Sequence, residues 1–427
     1  MPAKFTGTLA TVFLSLFLLT HSGKAQDNNV FVERAYWTSN PSIKQVKADI
    51  KKGNDPAAFN RHKFDAVTWA IIEQASNKTV WYLLKQDGNG VNKRSHDGRT
   101  PIFWAAYKGN LELMKELIAQ GAATDLIDDH GYSLLTFAAT TGQTNTELYD
   151  LCIQHGSDMG KENSKSGASS LLLMMPYINT NELLEYFTQK GLSIKDLDKK
   201  GNNAFVYAST TGNTFMMEYL LKRGMDPKAN NSAAMLFAAR GTRSKKNDLA
   251  TFSYLMDLGV SPGAVDEENR SALHYLAGYG NNQEVFDFFL DYGISSNQAD
   301  EKGNTAFHSV VSRNKAEIVQ FFIDSKADVL VANEKGENAI HLAAKRGNIE
   351  ILKMLLAEGR GINSRTKDGL TPLHLAAMTS KDDAVLKCLL DHGADKSLKT
   401  EFEESALDLA LENELLKQNN VSTDFLK

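Results

Sequence analysis

The stretch Thr371-Pro372-Leu373-His374-Leu375-Ala376-Ala377 decides the fold of this chain. A leucine pair at 389–390 and the turn Gly393-Ala394-Asp395 follow it. The same pattern stands one period upstream at 339–344 and again at 100–106. A motif that returns about every 33 residues predicts a turn and two helices per unit, stacked into a solenoid. Such a solenoid buries a continuous core and exposes a large surface.

Two ladders of glycine mark the repeat. A glycine opens each unit, with asparagine in its place twice, and a second glycine closes each unit, with Lys326 as the exception. A chain that reverses after a helix often needs a left-handed residue, which Gly adopts freely and Asn tolerates. We therefore expect Lys326 to carry a strain of roughly 1–2 kcal/mol. The opening positions are Gly98, Gly131, Gly167, Gly201, Asn231, Asn269, Gly303, Gly336 and Gly369.

This pattern resembles the ankyrin repeat family, whose unit is a β-turn finger followed by an antiparallel pair of helices. The resemblance runs from about Phe31 to about Leu416 and is weaker between Gly167 and Asn269. It implies an all-α solenoid of about ten repeats with a cap at each end. The chain is also similar to exported bacterial ankyrin-repeat proteins. The irregular middle could bend the solenoid, form a specific docking site, or reflect drift in repeats that only need to stack.

The N-terminus has the pattern of a secretory signal peptide. Lys4 gives a basic start, residues 5–20 carry no charge, and small residues flank Lys24 before Gln26. An uncleaved anchor is the alternative. We predict four segments: a signal peptide at 1–25, a degenerate capping repeat at 26–63, ankyrin repeats at 64–399 and a C-terminal cap at 400–427.

Charge and cysteine content narrow the function classes. Removal of residues 1–25 leaves 45 basic and 52 acidic residues, a net charge of −7, which does not suggest a nucleic-acid partner. The two cysteines, Cys152 and Cys388, lie seven repeats apart, on the order of 60–70 Å, too far to pair. An exported protein without a disulfide fits a bacterial periplasm or exterior, so we predict a periplasmic or secreted location.

One aromatic position precedes the small-residue pair of each first helix. This stripe could be a platform for a stacked ligand, but the most regular units carry Leu there, which favours a core ladder between repeats. From the N-terminus the position reads Trp69, Trp104, Phe137, Leu173, Tyr207, Phe237 and Tyr275, then Ser309, Leu342 and Leu375.

Four histidines share one register position at spacings of 33 or 34 residues: His274, His308, His341 and His374. The family resemblance implies that each imidazole bonds to neighbouring backbone and ties one finger to the next. A metal stripe is disfavoured, because equivalent atoms lie roughly 10 Å apart and zinc needs ligands at about 2 Å. No metal and no cofactor are expected.

Catalytic patterns are weak. Gly259-Val260-Ser261-Pro262-Gly263 matches the Gly-x-Ser-x-Gly string of serine hydrolases, but that motif needs a strand before the serine and a helix after it. Here it follows a predicted helix and falls in a loop. No phosphate loop, dinucleotide fingerprint or zinc-protease motif occurs. We therefore predict that the chain is not an enzyme.

The surface remains as the functional element. The resemblance implies that partners dock on the finger tips and on the concave, first-helix face. Tyr and Arg, which are typical interface anchors, recur there, so we expect a monomer that binds an acidic protein surface or segment. The candidate partner-binding residues are Arg99, Tyr107, Lys108, Tyr132, Pro176, Tyr177, Arg240, Arg270, Tyr279, Arg313, Lys345 and Arg346.

Two functions follow from this pattern. The first is a non-catalytic protein-binding scaffold that acts outside the cytoplasm, with no membrane span after signal cleavage. The alternative is a chaperone-like or protective accessory of an exported enzyme, which an apolar concave strip would favour. An effector released to act on other cells would usually need an attached non-repeat domain, and the repeats fill the chain.

Overall fold

The computed structural model describes residues 29–280 and 282–427, so the predicted signal peptide lies outside the described residues. In this part of the chain all regular structure is helical, with twenty-four α-helices and three short 3-10 turns. The helices are α1 (Arg34–Thr38), α2 (Ile43–Lys51), α3 (Ala66–Ile72), α4 (Asn77–Leu84), α5 (Pro101–Tyr107), α6 (Leu111–Ala119), α7 (Leu134–Thr140), α8 (Thr146–Gln154), α9 (Ser170–Met174), α10 (Asn181–Gln189), α11 (Ala204–Ser209), α12 (Thr214–Leu221), α13 (Ala229–Arg240), α14 (Leu249–Asp257), α15 (Ala272–Ala277), α16 (Gln283–Asp291), α17 (Ala306–Arg313), α18 (Ala316–Asp324), α19 (Ala339–Arg346), α20 (Ile349–Ala357), α21 (Pro372–Thr379), α22 (Ala384–Asp391), α23 (Ala406–Glu412) and α24 (Glu414–Gln418).

From α3 onward the helices form two layers. Each odd-numbered helix contacts the next odd-numbered helix, which makes an inner layer from α3 to α23. Each also contacts the even-numbered helix that follows it in sequence, which belongs to the outer layer. Small residues such as Ala105 and Ala106, both fully buried, let the inner helices approach closely. The predicted all-α ankyrin-type solenoid is confirmed.

Most inner helices begin at a Ser, Thr or Asn residue, whereas α3 begins at Asp65 and α13 has no side-chain cap. Histidine completes the cap in four repeats. In α17 the Thr305 side chain accepts a hydrogen bond from the His308 N–H, and the Thr305 N–H donates to His308 Nδ1 over 3.0 Å. This reciprocal arrangement is a capping box, which satisfies donors that a helix start leaves unpaired. The string Thr371-Pro372-Leu373-His374 is therefore a helix-start signal, with Thr371 and His374 as the two halves of the capping box.

Three of the same four imidazoles tie neighbouring repeats together, whereas His374 Nε2 has no partner among the described residues. His308 Nε2 donates to the Glu337 carbonyl over 3.2 Å, and His274 Nε2 donates to the Asn304 carbonyl over 3.2 Å. His341 Nε2 lies 3.0 Å from the Ser364 carbonyl oxygen. The predicted role of this histidine position is confirmed for these three repeats.

Burial of these histidines makes the C-terminal repeats sensitive to acid. Burial lowers the pKa of the four imidazoles, His274, His308, His341 and His374. The unfolded chain, with a histidine pKa of about 6.5, then binds protons before the folded one, so stability is present above that pH and is lost below it.

We expect each buried histidine to contribute a loss of stability between about pH 7.5 and pH 5.5. Urea unfolding of the wild type and of His308→Gln at both pH values measures it. The variant should lose less stability on acidification than the wild type does. An equal loss in both proteins would contradict the assignment.

The predicted left-handed positions are confirmed. Lys326 has φ 66°, and the asparagines that replace opening glycines, Asn231 and Asn269, have φ 53° and 59°. In this region the Cβ of lysine lies too close to the following carbonyl oxygen, a contact that glycine lacks. The conformation of Lys326 therefore costs the expected strain of roughly 1–2 kcal/mol.

Neighbouring fingers form a ladder of backbone hydrogen bonds. Each bond joins two neighbouring fingers. The acceptor is the backbone carbonyl of the residue just before one opening position, and the donor is the backbone N–H of the residue two places before the next opening position. Asp129 donates to the Asp97 carbonyl over 2.9 Å, and Glu301 donates to the Glu268 carbonyl over 2.9 Å. The remaining bonds of the ladder are Lys199 to Ser166, Glu334 to Lys302, Lys367 to Lys335, and Glu401 to Asp368.

Asparagine side chains form a second set of ties between repeats, which the sequence did not indicate. Asn213, which caps α12, donates from Nδ2 to the carbonyls of Met175 and Ile178, 2.8 Å each. Asn314 and Asn413 make equivalent pairs of bonds to the preceding repeat. Each amide satisfies carbonyls at the end of the preceding inner helix, where a helix leaves them unpaired.

The two cysteines are free and buried, on α8 and α22, as their spacing requires. At the N-terminal end, Trp37 is fully buried and donates from its indole to the Phe31 carbonyl over 2.9 Å. At the C-terminal end, α24 is a short outer helix of five residues. The boundaries at residues 63 and 399 remain predictions.

Candidate partner-binding site

A large hollow lies on the inner-helix face of the N-terminal half. It has a volume of about 800 Å³ and extends from Arg34 and Phe64 to the loop after α13, ending at Ser244. We call it the aromatic groove. Its floor consists of residues from successive inner helices, and finger residues form one wall. The repeat geometry thus places one floor residue per unit along the groove.

The floor of the aromatic groove is the predicted aromatic stripe. Trp104, Phe137 and Tyr207 are 5%, 4% and 8% exposed, so they pack mainly between repeats. Their rings contact one another along the groove, with Trp104 and Phe137 centroids 6.4 Å apart and Tyr207 and Phe237 centroids 5.2 Å apart. The stripe is therefore a core ladder whose edges also line the groove.

Arg99 crosses two rings of this floor. Its guanidinium lies 5.3 Å from the Trp104 centroid and 4.4 Å from the Phe137 centroid. It also bonds to Asp97 at 3.0 Å and to the buried Asp128 at 2.9 Å. Two carboxylates and two rings hold this guanidinium in place, so Arg99 presents a fixed cationic edge to the groove.

Arg240 belongs to a second network at the far end of the groove. It donates to the Tyr275 hydroxyl over 2.5 Å, and that hydroxyl donates to Asp266. Burial raises the pKa of Asp266, but the hydrogen bonds from Tyr275 and Arg270 outweigh it and bring the pKa to about 2. Burial and the bond to Asp266 raise the pKa of Tyr275 to about 12. The network therefore keeps its charges across the neutral range.

The Nε–H group of Arg240 is buried and has no acceptor among the described residues. A buried donor without a partner is costly, so this guanidinium is held in place at a cost that its bonds to Tyr275 and Asp266 offset.

The loop between α13 and α14 borders the same end of the groove. Gly241 has φ 58°, and a Cβ there would meet the Lys245 carbonyl oxygen at 2.7 Å, so this close turn requires glycine. Asn247 fixes the other end of the loop through bonds to the Thr210 and Ala238 carbonyls, 3.0 and 2.9 Å. Between them, Arg243 is exposed, lines the groove and has no ion pair within the described residues.

The structure distributes the sequence-predicted residues over three environments. Six of them line the aromatic groove, and three line a second hollow of about 560 Å³ beside α15 and α17. The other three line neither. In the groove are Arg99, Tyr107, Tyr132, Pro176, Tyr177 and Arg240; in the second hollow are Arg270, Tyr279 and Arg313; in neither are Lys108, Lys345 and Arg346.

Arg346 has a role within the fold. It is exposed, but its guanidinium donates to the Val311 and Asn314 carbonyls, 2.8 Å each, at the end of the preceding inner helix. Lys345 lies 3.4 Å from Glu337. A charge reversal at Arg346 would therefore disturb repeat stacking as well as any interface, which makes it a poor probe of binding.

Sequence analysis missed several groove residues. Arg243 stands outside the repeat register, and its only signal was the extra length of the loop at 241–247. Phe64, which stacks on Trp69 with centroids 4.4 Å apart, precedes the first full helix pair. Thr140 and Thr210 follow small-residue pairs and add hydroxyl groups to the wall, but threonine there has no distinctive pattern.

No group of three His, Cys, Asp or Glu residues is placed to hold a metal ion in residues 29–280 and 282–427. The Gly-x-Ser-x-Gly string follows α14 as a loop, as predicted, and Ser261 Oγ accepts from the Gly263 N–H over 3.2 Å. Over the same described ranges, no helix has both the length and the apolarity that a membrane crossing requires.

Comparison with known proteins gives partial relatives. The chain is 28% identical over 161 residues to the ankyrin repeat protein nuc-2 of Neurospora crassa, which is 37% of this chain and 15% of that protein. It is 30% identical over 172 residues to palmitoyltransferase AKR1 of Lachancea kluyveri, covering 39% and 23%. It is 46% identical over 54 residues to human ankyrin repeat domain-containing protein 49, covering 13% and 22%. The chain thus spans less than a third of each of these relatives.

A family model described as ankyrin repeats, three copies, matches residues 67–163, 235–333, 310–400 and 340–421. These matches together cover more than half of the chain, and they coincide with the stacked helix pairs and the finger ladder. The chain belongs to the ankyrin repeat family.

Proposed function

We propose that this protein is a non-catalytic scaffold that acts outside the cytoplasm and holds an acidic segment of a partner protein in the aromatic groove. Ankyrin repeats indicate protein binding, which supports the first part of the proposal. The single observation that carries the site is the groove itself, where a mainly aromatic floor, interrupted by Leu173, meets an arginine-rich wall.

The charges along the groove support an acidic partner. Arg34, Arg99, Arg240 and Arg243 line it, with Asp97 as the only carboxylate in the lining, whereas the whole chain has a net charge of −5. Three of these arginines are paired within the chain, so Arg243 is the cation left to meet a partner carboxylate. Complementary charge sets specificity and association rate more than affinity.

Arg243→Glu tests this proposal. Arg243 makes no contact that the fold needs, so the variant should fold normally and lose at least about tenfold in partner affinity, a change of about 1.4 kcal/mol. Affinity capture with tagged protein from the exported fraction of the producing cells, read by mass spectrometry, measures the loss.

Lys245→Glu is the matched control. Lys245 is an exposed cation of the same loop, but it does not line the groove. Capture should survive this change. If both variants, or neither, lose the partner, the groove is not the binding surface.

The exported location rests on sequence alone. The N-terminal segment at 1–25 has the signal-peptide pattern. For an exported protein, two cysteines that form no disulfide fit a bacterial compartment better than a eukaryotic secretory one. The similarity to exported bacterial proteins has the same basis, since the relatives named above are fungal and human proteins. Fractionation of producing cells with N-terminal sequencing tests it: a chain starting at Gln26 in the exported fraction supports export, and an intact cytoplasmic chain contradicts it.

A chaperone-like or protective accessory is the second candidate. The aromatic floor of the groove is the observation that favours it, because unfolded chains bind to apolar surface. The arginine wall favours one acidic partner instead. The same capture experiment separates the two: one dominant, salt-sensitive partner supports the scaffold, and many unfolded proteins support the accessory.

A further inference from the structure

One repeat lacks its finger. The closing Gly191 stands thirteen positions before Ala204, where the next inner helix starts. The closing Gly224 stands only nine positions before Ala233. Ala233 is the first residue of α13 with helical backbone angles after a left-handed run. Asn230, Asn231 and Ser232 form that run, with φ between 50° and 63°. The chain therefore turns directly into the inner helix where neighbouring repeats extend a hairpin finger.

The missing finger leaves open space, which we call the finger gap: it lies between the finger Asp198–Asn202 and the finger Asp266–Arg270. The opening glycines of the other repeats show the contrast. A Cβ on Gly167 would meet Lys199 at 2.7 Å, and a Cβ on Gly303 would meet Asn333 at 2.9 Å, because the next finger packs there. A Cβ on Gly201 would meet nothing within 4 Å.

The two sides of the finger gap carry unused ladder groups. By the register of the ladder, the Lys200 carbonyl should accept from the next finger and the Glu267 N–H should donate to the preceding one. Neither group has a hydrogen-bond partner among the described residues. The gap thus offers one acceptor and one donor in the arrangement that a finger would fill.

Among the described residues, one exposed ion pair spans the finger gap. Lys200 Nζ lies 2.5 Å from Glu267 Oε2, and the two side chains are 49% and 68% exposed. Such a pair contributes little stability, so it can open without disturbing the fold.

The finger gap borders the aromatic groove. Tyr207, on the groove floor, donates to Asp198 of one flanking finger over 2.9 Å. Arg240, on the groove wall, lies 3.4 Å from Asp266 of the other. A segment lying in the groove can therefore reach the gap without leaving the protein surface.

We propose that the finger gap is a docking slot for the backbone of the groove's protein partner, in which an exposed turn of that partner replaces the missing finger. One backbone N–H of the turn donates to the Lys200 carbonyl, and one carbonyl accepts from the Glu267 N–H. This rests on the proposed function, because the occupant is the protein held in the groove. Backbone pairing with an open edge is an established route of peptide recognition.

A finger peptide of this chain is a suitable probe, because its sequence already forms the structure that the gap lacks. The capped peptide of residues 297–306 contains a hairpin turn closed in the fold by the bridge between Ala299 and Thr305. Added to isotope-labelled full-length protein, it should shift the Gly201 amide signal saturably, with a dissociation constant of about 1 mM, as expected for a contact of this size.

Two substitutions of Glu267 test whether its backbone N–H donates a hydrogen bond to the peptide. Glu267→Pro removes the free N–H, and proline is favoured there because Glu267 is the second residue of the turn closed by Asn269 N–H to Asp266 O, 3.0 Å. Glu267→Ala removes the same carboxylate but keeps the N–H. We expect Glu267→Ala to bind the peptide like the wild type and Glu267→Pro to bind at least about tenfold more weakly.

Folding of the proline variant has its own check. Its melting temperature should match that of Glu267→Ala, whereas Glu301→Pro, which removes a bonded ladder N–H, should melt lower. No saturable shift at Gly201 in the wild type, or equal peptide affinity of the two Glu267 variants, would overturn the proposal. Self-association that Glu267→Pro abolishes would assign the slot to a second copy and overturn the choice of occupant.

The peptide experiment on the finger gap and the Arg243→Glu experiment on the groove can fail independently of each other. Loss of capture in Arg243→Glu with no peptide binding would remove the finger gap and keep the groove. Peptide binding with unchanged capture in Arg243→Glu would keep a backbone slot and remove the groove.

Discussion

Asn213→Ala should lower the free energy of unfolding by about 3 kcal/mol. The substitution removes the two 2.8 Å bonds from Nδ2 to the Met175 and Ile178 carbonyls, both on fully buried residues. It also removes the helix cap that Asn213 gives to the Met216 N–H. An unsatisfied buried polar group costs about 1–3 kcal/mol, and a lost cap costs about 1 kcal/mol.

Asn145→Ala is the matched control. Asn145 caps the next-but-one outer helix upstream through the Glu147 N–H, but its Nδ2 makes no bond to another repeat. It should therefore cost only about 1 kcal/mol. Urea unfolding followed by circular dichroism measures both. Equal losses in the two variants would show that the amide ties do not hold the repeats together.

The second large effect is expected at a finger glycine. Gly303→Ala places a Cβ 2.9 Å from the Asn333 Cα and 3.0 Å from the Glu334 nitrogen, in a residue with φ 73°. The left-handed conformation costs about 1 kcal/mol or more for alanine, and backbone atoms of the next finger cannot move aside cheaply. We expect a total loss of about 3 kcal/mol, with the Glu334 to Lys302 ladder bond broken.

Gly201→Ala separates strain from crowding. Gly201 has nearly the same backbone conformation, φ 81°, but its Cβ would enter the finger gap and touch nothing. Its cost should be near 1 kcal/mol, from the backbone alone. The difference of about 2 kcal/mol between the two variants, measured by urea unfolding, reports the packing of one finger on the next. A difference near zero would mean that the fingers do not pack as described.

Repeat architecture made much of the fold predictable from sequence. The glycine ladders located the turns of the regular repeats, and His308 with its equivalents indicated the helix starts and, in three repeats, the ties between fingers. Even the exception at Lys326, with φ 66°, followed from the register. The roles of these residues could be predicted from sequence because each satisfies a local backbone requirement that recurs along the repeats.

The site was less predictable, because it depends on contacts between repeats rather than within one. Tyr107 and Tyr177 line the groove as expected, but Arg346 is engaged with the Val311 carbonyl and Arg243 supplies the free cation instead. The partners of a long arginine side chain follow from three-dimensional placement. Register alone gives the position of its Cα.

The finger gap was partly predictable from sequence. The short spacing of 30 residues from Gly201 to Asn231 was visible in the sequence, but it did not show whether the missing residues came from a helix or from the finger. The backbone run at Asn230–Ser232 and the open space at Gly201 show that the finger is the element lost.

Site-specific photo-crosslinking tests the central claim, that a partner protein lies in the aromatic groove. A benzophenone side chain at Thr210, which lines the groove, is compared in producing cells with one at Lys222, which is exposed at the end of an outer helix. A discrete adduct of one protein from position 210, absent at position 222, is the predicted result. An adduct from position 222 alone, or equal adducts from both, would contradict the account.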